Sequence, residues 1–350
     1  MGAGRTSFVT RGGAELSFTR LGFGTAPLGN FQRALSEAEA ESVVAAAWDA
    51  GMRFFDTAPL YGHGLSELRL GRVLKDKPRG DYLISTKVGR YLVPCEKGEE
   101  DAGIFLDVPQ VRRVYDYSYD GVMRSFEDSL KRLQLDRVDI LFVHDVDARN
   151  HGSRAACEAR LVELMDTGGW RALSELRASG AVAAIGAGVN EWEPCQWLLD
   201  HADPDLFLLA GRYTLLEQEP LDSFLPQCLK RGVGIVLGGP YNSGILARGP
   251  NANPTFDYAA APAQVIERVK RIDAVCRREG VPMIAAALQF AGAHPAVVSV
   301  IPGAQSLAEM ESNLAAQRVA IPPSLWAALR AEGLLHPEAP VPAQEPAPAC

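Results

Sequence analysis

Long apolar runs are missing from this chain. No stretch of its 350 residues approaches the roughly 20 uninterrupted apolar positions that a membrane-spanning helix needs. Cysteine is sparse: the six thiols stand at 95, 157, 195, 228, 276 and 350, with no C-x-x-C pair, which argues against a disulfide framework or a zinc site. The six histidines show no H-x-H cluster of the kind a metal-dependent hydrolase carries, so no metal is expected. Positive charge is in deficit, with 35 Lys and Arg against 43 Asp and Glu, a formal net charge of -8. A phosphate backbone wants a basic face, so nucleic acid is an unsuitable partner. The opening MGAGRTSFVTRGG has no apolar core of signal-peptide type, and Gly2 with Arg5 and Thr6 makes a poor acylation site; a cytoplasmic protein is expected.

What is present is an alternation of strand-like and helix-like segments. Strands are predicted near 21–24, 53–56, 82–87, 138–144, 183–188, 206–210, 233–238 and 297–301. They are continuous apolar runs, as parallel strands covered on both faces require. Helices are predicted near 36–50, 66–74, 120–133, 170–179, 191–200, 222–231, 263–279 and 284–292. Ser36 and Glu39 have capping-box spacing, Asp120 is a candidate cap, and Gly51, Gly180 and Gly280 stand just past helix ends. Eight strands, each followed by a helix, predict a single (β/α)8 TIM barrel. The competing doubly wound sheet usually carries G-x-G-x-x-G after its first strand, whereas LGFGTAPLG has glycines at 22, 24 and 29. The segment SFVTRGGAELSFTRLG reads as an N-terminal β-hairpin closing the bottom of the barrel.

Residues 89–118, 145–168 and 239–262 break the alternation. Each follows a barrel strand, so each is expected as an extended loop on the top face, where barrel enzymes keep their chemistry. The barrel is expected to fill 1–335, and the Pro/Ala-rich stretch 336–350 to be a flexible tail.

Three motifs carry chemistry. In FFDTAPLYGHG, Asp56 ends a strand and Tyr61 follows in the loop; in YLISTKVGR, Lys87 ends a strand; in DILFVHD, His144 does the same. Each alone has an ordinary structural explanation, as a capping carboxylate, a snorkelling lysine or a hydrogen-bonded core histidine. Together, at neighbouring strand ends, they gather a carboxylate, a phenol, an ammonium and an imidazole in one volume. A tyrosine with a pKa near ~10 moves protons at neutral pH only with help from such neighbours.

These motifs, F-D-T-A-x-x-Y-G, S-T-K-V and V-H-D, resemble those of the aldo-keto reductase family over nearly the full chain. The stretches VYDYSYDGVMRSFEDSLKRLQLDRVDIL, AIGAGVNEWEP, LLAGRYTLLEQ, GGPYNSGIL and SVIPGA are similar to its aldose 1-dehydrogenase branch, of D-threo-aldose or L-fucose type. The resemblance implies an NAD(P)-dependent oxidoreductase with Asp56, Tyr61, Lys87 and His144 as catalytic tetrad. It implies a sugar or aldehyde substrate, oxidised at the anomeric C1 hydroxyl to a lactone. Pyridoxal 4-dehydrogenase, an NADPH-dependent aldehyde reductase and a cofactor-binding regulatory subunit are the alternatives. Cofactor contacts are expected at Thr25, Asn190, Tyr213, Gly238, Gly239, Ser243, Gly303, Gln305, Glu309 and Asn313. Gly238 stands where the family commonly has a stacking aromatic, which leaves Tyr213 or Tyr241 for that role. Gly303 and Glu309 stand near positions where NADP-dependent relatives carry basic residues, so NAD is favoured over NADP. Substrate contacts are expected from His63, Asp145, Trp192 and Tyr241.

Overall fold

The computed structural model describes residues 4–250 and 253–343. Strands β1 (Arg5–Val9) and β2 (Glu15–Thr19) pair antiparallel. The chain then gives β3 (Phe23–Gly24), β4 (Phe54–Asp56) and β5 (Leu83–Val88), followed by an antiparallel hairpin of β6 (Arg90–Pro94) and β7 (Val111–Tyr115). Next come β8 (Ile140–His144), β9 (Ala184–Val189), β10 (Leu206–Ala210) and β11 (Gly234–Gly238), a small hairpin of β12 (Thr255–Phe256) and β13 (Ala259–Ala260), and β14 (Val297–Ile301). Strands β3, β4, β5, β8, β9, β10, β11 and β14 form one parallel sheet in that order. Parallel bridges from Leu21 to Val300 and from Gly24 to Gly303 join its edges. This is the predicted (β/α)8 barrel with its N-terminal hairpin.

The period-2 pleat explains the placement of the strand-end residues. Phe54, Ile140, Phe142, Leu206, Leu208 and Val236 point inward and pack with Leu16 and Phe18 of the hairpin. Phe18 meets Phe54 edge-on, with ring centroids 4.9 Å apart. Phe55, Leu141, Val143, Ile185, Phe207 and Leu209 point outward, into the layer between strands and helices. Inward parity then continues from Phe54 to Asp56 and from Ile140 and Phe142 to His144. On β5, where Ile84 belongs to the outer layer, the same parity sends Ser85 and Lys87 inward.

Local chemistry accounts for the helix ends. Ser36 and Glu39 form the reciprocal capping box of the helix Glu37–Asp49. Gly51, Gly180 and Gly280 take the left-handed backbone expected after their helices. Asp120 is not a cap: the helix Tyr119–Leu133 starts earlier, and Ser118, in extended conformation, accepts from the Gly121 N–H.

The three irregular stretches contain regular structure. Residues 89–118 hold the β6–β7 hairpin and 239–262 hold β12–β13. Residues 145–168 are mostly helical, in Ala148–His151 and Arg154–Asp166. The second helix buries only Cys157, Leu161 and Leu164, at i, i+4 and i+7. So narrow an apolar stripe between polar caps reads as a loop in sequence. The tail is anchored further than predicted: Ala339 is buried, and Arg330 donates to its carbonyl at 2.7 Å. Residues 344–350 lie outside the described residues.

Candidate active site

Asp56, Lys87 and His144 are buried at the top of neighbouring strands β4, β5 and β8. Lys87 Nζ donates to Asp56 Oδ2 at 2.7 Å and to the Thr57 carbonyl at 2.9 Å. Ser85 Oγ donates to Asp56 Oδ1 at 2.8 Å. An ammonium has three N–H groups, so one remains for the cavity side. There Lys87 Nζ stands 4.7 Å from the centroid of the Tyr61 ring. His144 meets Tyr61 edge-on, with centroids 5.8 Å apart. The four residues expected to act together therefore share one volume. Gly188, inward-facing on β9, leaves space for the lysine: a Cβ there would lie 3.2 Å from Lys87 Cε.

The loop carrying Tyr61 is held by backbone contact. A Cβ on Gly29 would lie 2.5 Å from the Gly62 nitrogen and from the Tyr61 carbonyl carbon, so the two segments pass closer than any side chain allows. Gly29→Ala is expected to push this loop away, costing about 1–3 kcal/mol of stability. Catalysis should fall by on the order of 100-fold, the usual penalty for an ångström of misplacement. Thermal melting and kcat/KM on the same preparation check both.

The electrostatics follow from burial. Desolvation, then the charges of Asp56 and Asp145, pushes the Tyr61 phenol well above its usual range, with Arg90 opposing. Burial also raises Asp56, against the pull of Lys87 and Ser85. Burial, with Arg90, Lys87 and Arg113 nearby, holds the His144 imidazole well below its usual range, so it is neutral at neutral pH. Asp145 bridges several groups: its carboxylate pairs with buried Arg90, accepts from Asn190 Nδ2 at 3.0 Å and lies 3.5 Å from His144 Nε2.

A cavity of about 260 Å³ opens over these groups, lined by Tyr61, Lys87, His144, Asp145 and Asn190 among others. A narrow groove continues from it past Asn190, Gly211, Gly239, Asn242 and Ser243. Asp257 and Tyr258 also line the groove, and the Tyr258 N–H donates to Ser243 Oγ at 2.9 Å.

Other predicted contacts lie elsewhere. Thr25 is buried, its hydroxyl held by the Asp56 carbonyl and Ser66, both at 2.7 Å. Tyr213 is buried against Phe290 and His294, its hydroxyl without a hydrogen-bond partner among the described residues, so it offers no stacking face. Tyr241 donates to Asn313 Oδ1 at 2.7 Å, and Asn313 Nδ2 donates to the Gly303 carbonyl at 3.2 Å. Tyr241 thus ties two loops together and does not line the cavity. Gly238 faces Leu208 inside the barrel. Gln305 donates to the Phe31 carbonyl, and Glu309 accepts from the Gln305 N–H at 2.8 Å. Trp192 packs on Phe224, and buried His63 meets the Val111 carbonyl at 2.9 Å. Of the four predicted substrate contacts, only Asp145 lines the cavity. Sequence reasoning missed Phe31, Phe105, Arg113, Arg149 and Tyr258, which do line it. All but Phe31 fall within the three irregular stretches, which is the one signal that pointed to them.

The profile of the aldo/keto reductase family matches residues 20–332. The chain belongs to the aldo-keto reductase family. Aldo-keto reductases are NAD(P)(H)-dependent oxidoreductases, and the chain is 43% identical to a pyridoxal 4-dehydrogenase from Microbacterium luteolum, over 93% of this chain and 96% of the relative. A D-threo-aldose 1-dehydrogenase from a Pseudomonas species is 40% identical, with the same coverage of both chains. An L-galactose dehydrogenase from Arabidopsis thaliana is 31% identical, over 87% of this chain and 86% of the relative. An aldo-keto reductase from Bacillus halodurans, solved in its holo form, superposes with a TM-score of 0.73 at 23% identity, covering 97% of this chain and 99% of that one. Among the described residues no helix is long and apolar enough to cross a membrane.

Proposed function

We propose that this aldo-keto reductase oxidises the hydroxyl of a cyclic hemiacetal to a lactone, with Tyr61 as the proton-transfer group. The observation that carries the reading is Tyr61 flanked by the Asp56–Lys87 pair and a neutral His144 at one cavity. The three relatives are named for pyridoxal, D-threo-aldoses and L-galactose. Aldoses cyclise in water, and pyridoxal closes onto its own hydroxymethyl group, so all three substrates present a hydroxyl on a hemiacetal carbon.

A nicotinamide dinucleotide, when bound, supplies the hydride acceptor. Asn190 would hold its carboxamide, and the backbone of Gly239 and Ser243, which line the narrow groove beside Asn190, would hold the pyrophosphate. Gly303, Gln305, Glu309 and Asn313 would meet its adenosine end. The hemiacetal carbon loses a hydride and its hydroxyl loses a proton to Tyr61, giving lactone, reduced dinucleotide and one proton. Lys87 stabilises the phenolate, Asp56 fixes Lys87, and neutral His144 orients the substrate oxygen. NAD is the favoured cofactor, because the exposed Glu309 carboxylate disfavours a 2'-phosphate.

Absorbance at 340 nm with L-fucose, D-arabinose, L-galactose and pyridoxal, each with NAD and NADP, tests the reading. At least one hemiacetal is expected to be oxidised, with higher kcat/KM for NAD. Inertness toward all four with both cofactors contradicts it, and a marked preference for NADP overturns the cofactor assignment.

A further inference from the structure

One side of the cavity is aromatic. Tyr61, Phe105, Phe31 and Tyr258 form a continuous aromatic arc, with successive ring centroids 6.4, 6.0 and 5.8 Å apart. Segment 102–106 carries Phe105 and is fixed to segment 30–32 by the Phe31–Phe105 bridge and by the Gln32 N–H donating to the Ile104 carbonyl at 2.9 Å. Two guanidiniums, Arg113 and Arg149, also line the space.

An aldose buries several hydroxyl groups, each of which needs an acceptor. Among the lining residues the one carboxylate is Asp145, and it is engaged by Arg90 and Asn190, which leaves the amides of Asn150 and Asn190, the imidazole of His144 and the phenols as neutral acceptors. The other charged side chains facing the cavity, Lys87, Arg113 and Arg149, only donate. Arg113 is near enough to His144 to depress its basicity. Its partner is Asp101, at 2.8 Å, whose side chain is 67% exposed and readily exchanged for another anion. Arg149 is more firmly held: it pairs with Asp257 at 3.3 Å, and Asp257 is also bound by Arg212.

We infer that the preferred substrate is a planar aromatic ring bearing both the hemiacetal and an ionised oxygen, with the ring against the aromatic arc and the anion on Arg113. This rests on the hemiacetal reading and narrows it. Pyridoxal, with its phenolic oxygen, belongs to this chemical class; a neutral sugar does not. Arg113 is here a specificity-determining residue, and Asp101 competes with the substrate anion for it.

The test compares pyridoxal, its 3-O-methyl ether and L-fucose with NAD, using wild type, Arg113→Gln and Asp101→Asn. A charged hydrogen bond lost with the methyl ether should cost wild type about tenfold or more in kcat/KM. Arg113→Gln should shrink that ratio to within about threefold, the neutral limit of the same contact. Asp101→Asn should lower KM for pyridoxal more than for the ether, a readout that survives even if Arg113→Gln fails to fold. Equal kcat/KM for pyridoxal and ether in wild type, L-fucose as best substrate, equal loss on both ring compounds in Arg113→Gln, or a higher pyridoxal KM in Asp101→Asn would each overturn the inference while leaving hemiacetal oxidation intact. Failure to oxidise any of the three overturns both readings together.

Discussion

Tyr61→Phe is expected to lower kcat for hemiacetal oxidation by roughly 10²–10⁴-fold, the range of a lost general acid–base group. Dissociation constants for the dinucleotide should be nearly unchanged, because the substitution removes one oxygen from the cavity wall and nothing from the groove. The pH profile sharpens the assignment. Burial and two nearby carboxylates hold the phenol well above its ordinary range, so at neutral pH it is protonated. A protonated phenol is ready to act as an acid in carbonyl reduction and must lose its proton to act as a base in oxidation. Below the pKa the phenolate fraction grows about tenfold per pH unit, so oxidation should accelerate as pH rises through neutrality while reduction should not. Tyr61→Phe should abolish the rise. An oxidation rate independent of pH in wild type, or a phenylalanine variant that keeps both rate and slope, would remove Tyr61 from the chemistry.

Lys87→Met is expected to be damaging in two separable ways. Lys87 and Asp56 have side chains 1% and 3% exposed and are 2.7 Å apart. Removing one partner strands the other, at a cost of about 3–5 kcal/mol. Burial already raises the Asp56 carboxyl, so part of this is relieved by protonation. Activity should fall on the same scale as for Tyr61→Phe, because the ammonium against the phenol ring is lost and the remaining cation, Arg90, is tied to Asp145. Combining Lys87→Met with Asp56→Asn separates the two effects. The double variant should recover much of the lost stability, since neither charge is left unpaired, and should remain inactive. Denaturant melts and steady-state rates on the three variants check this. Activity returning with stability would make the pair a purely structural support.

The strand-end positions Asp56, Lys87 and His144 were legible because two simple signals coincide at them. Polar residues end apolar strands, and the pleat sends Asp56 inward with Phe54, and His144 inward with Ile140 and Phe142. The eight strands were legible because parallel barrel strands are apolar on both faces. The substrate wall was not, since Phe105, Arg113, Arg149 and Tyr258 reach the cavity through hairpins and a short helix whose paths no periodicity encodes. Tyr213, Tyr241 and Trp192 show the converse error. An aromatic on a top-face loop suggests a stacking surface, but each of these fills a gap between elements: Tyr213 against Phe290, Tyr241 against Asn313, Trp192 against Phe224. Thr25 was drawn into the hydrogen-bond set that fixes the Asp56 backbone, a demand visible only once the strands are side by side.

Isotope tracing reaches the central claim most directly. Pyridoxal deuterated at its formyl carbon, or an aldose deuterated at C1, is oxidised by the enzyme with NAD, and the mass of the reduced dinucleotide is measured. Direct transfer from the hemiacetal carbon predicts one deuterium in each reduced dinucleotide formed, together with a lactone as first product. Reduced dinucleotide without the label, or an acid formed with no lactone preceding it, would contradict the account.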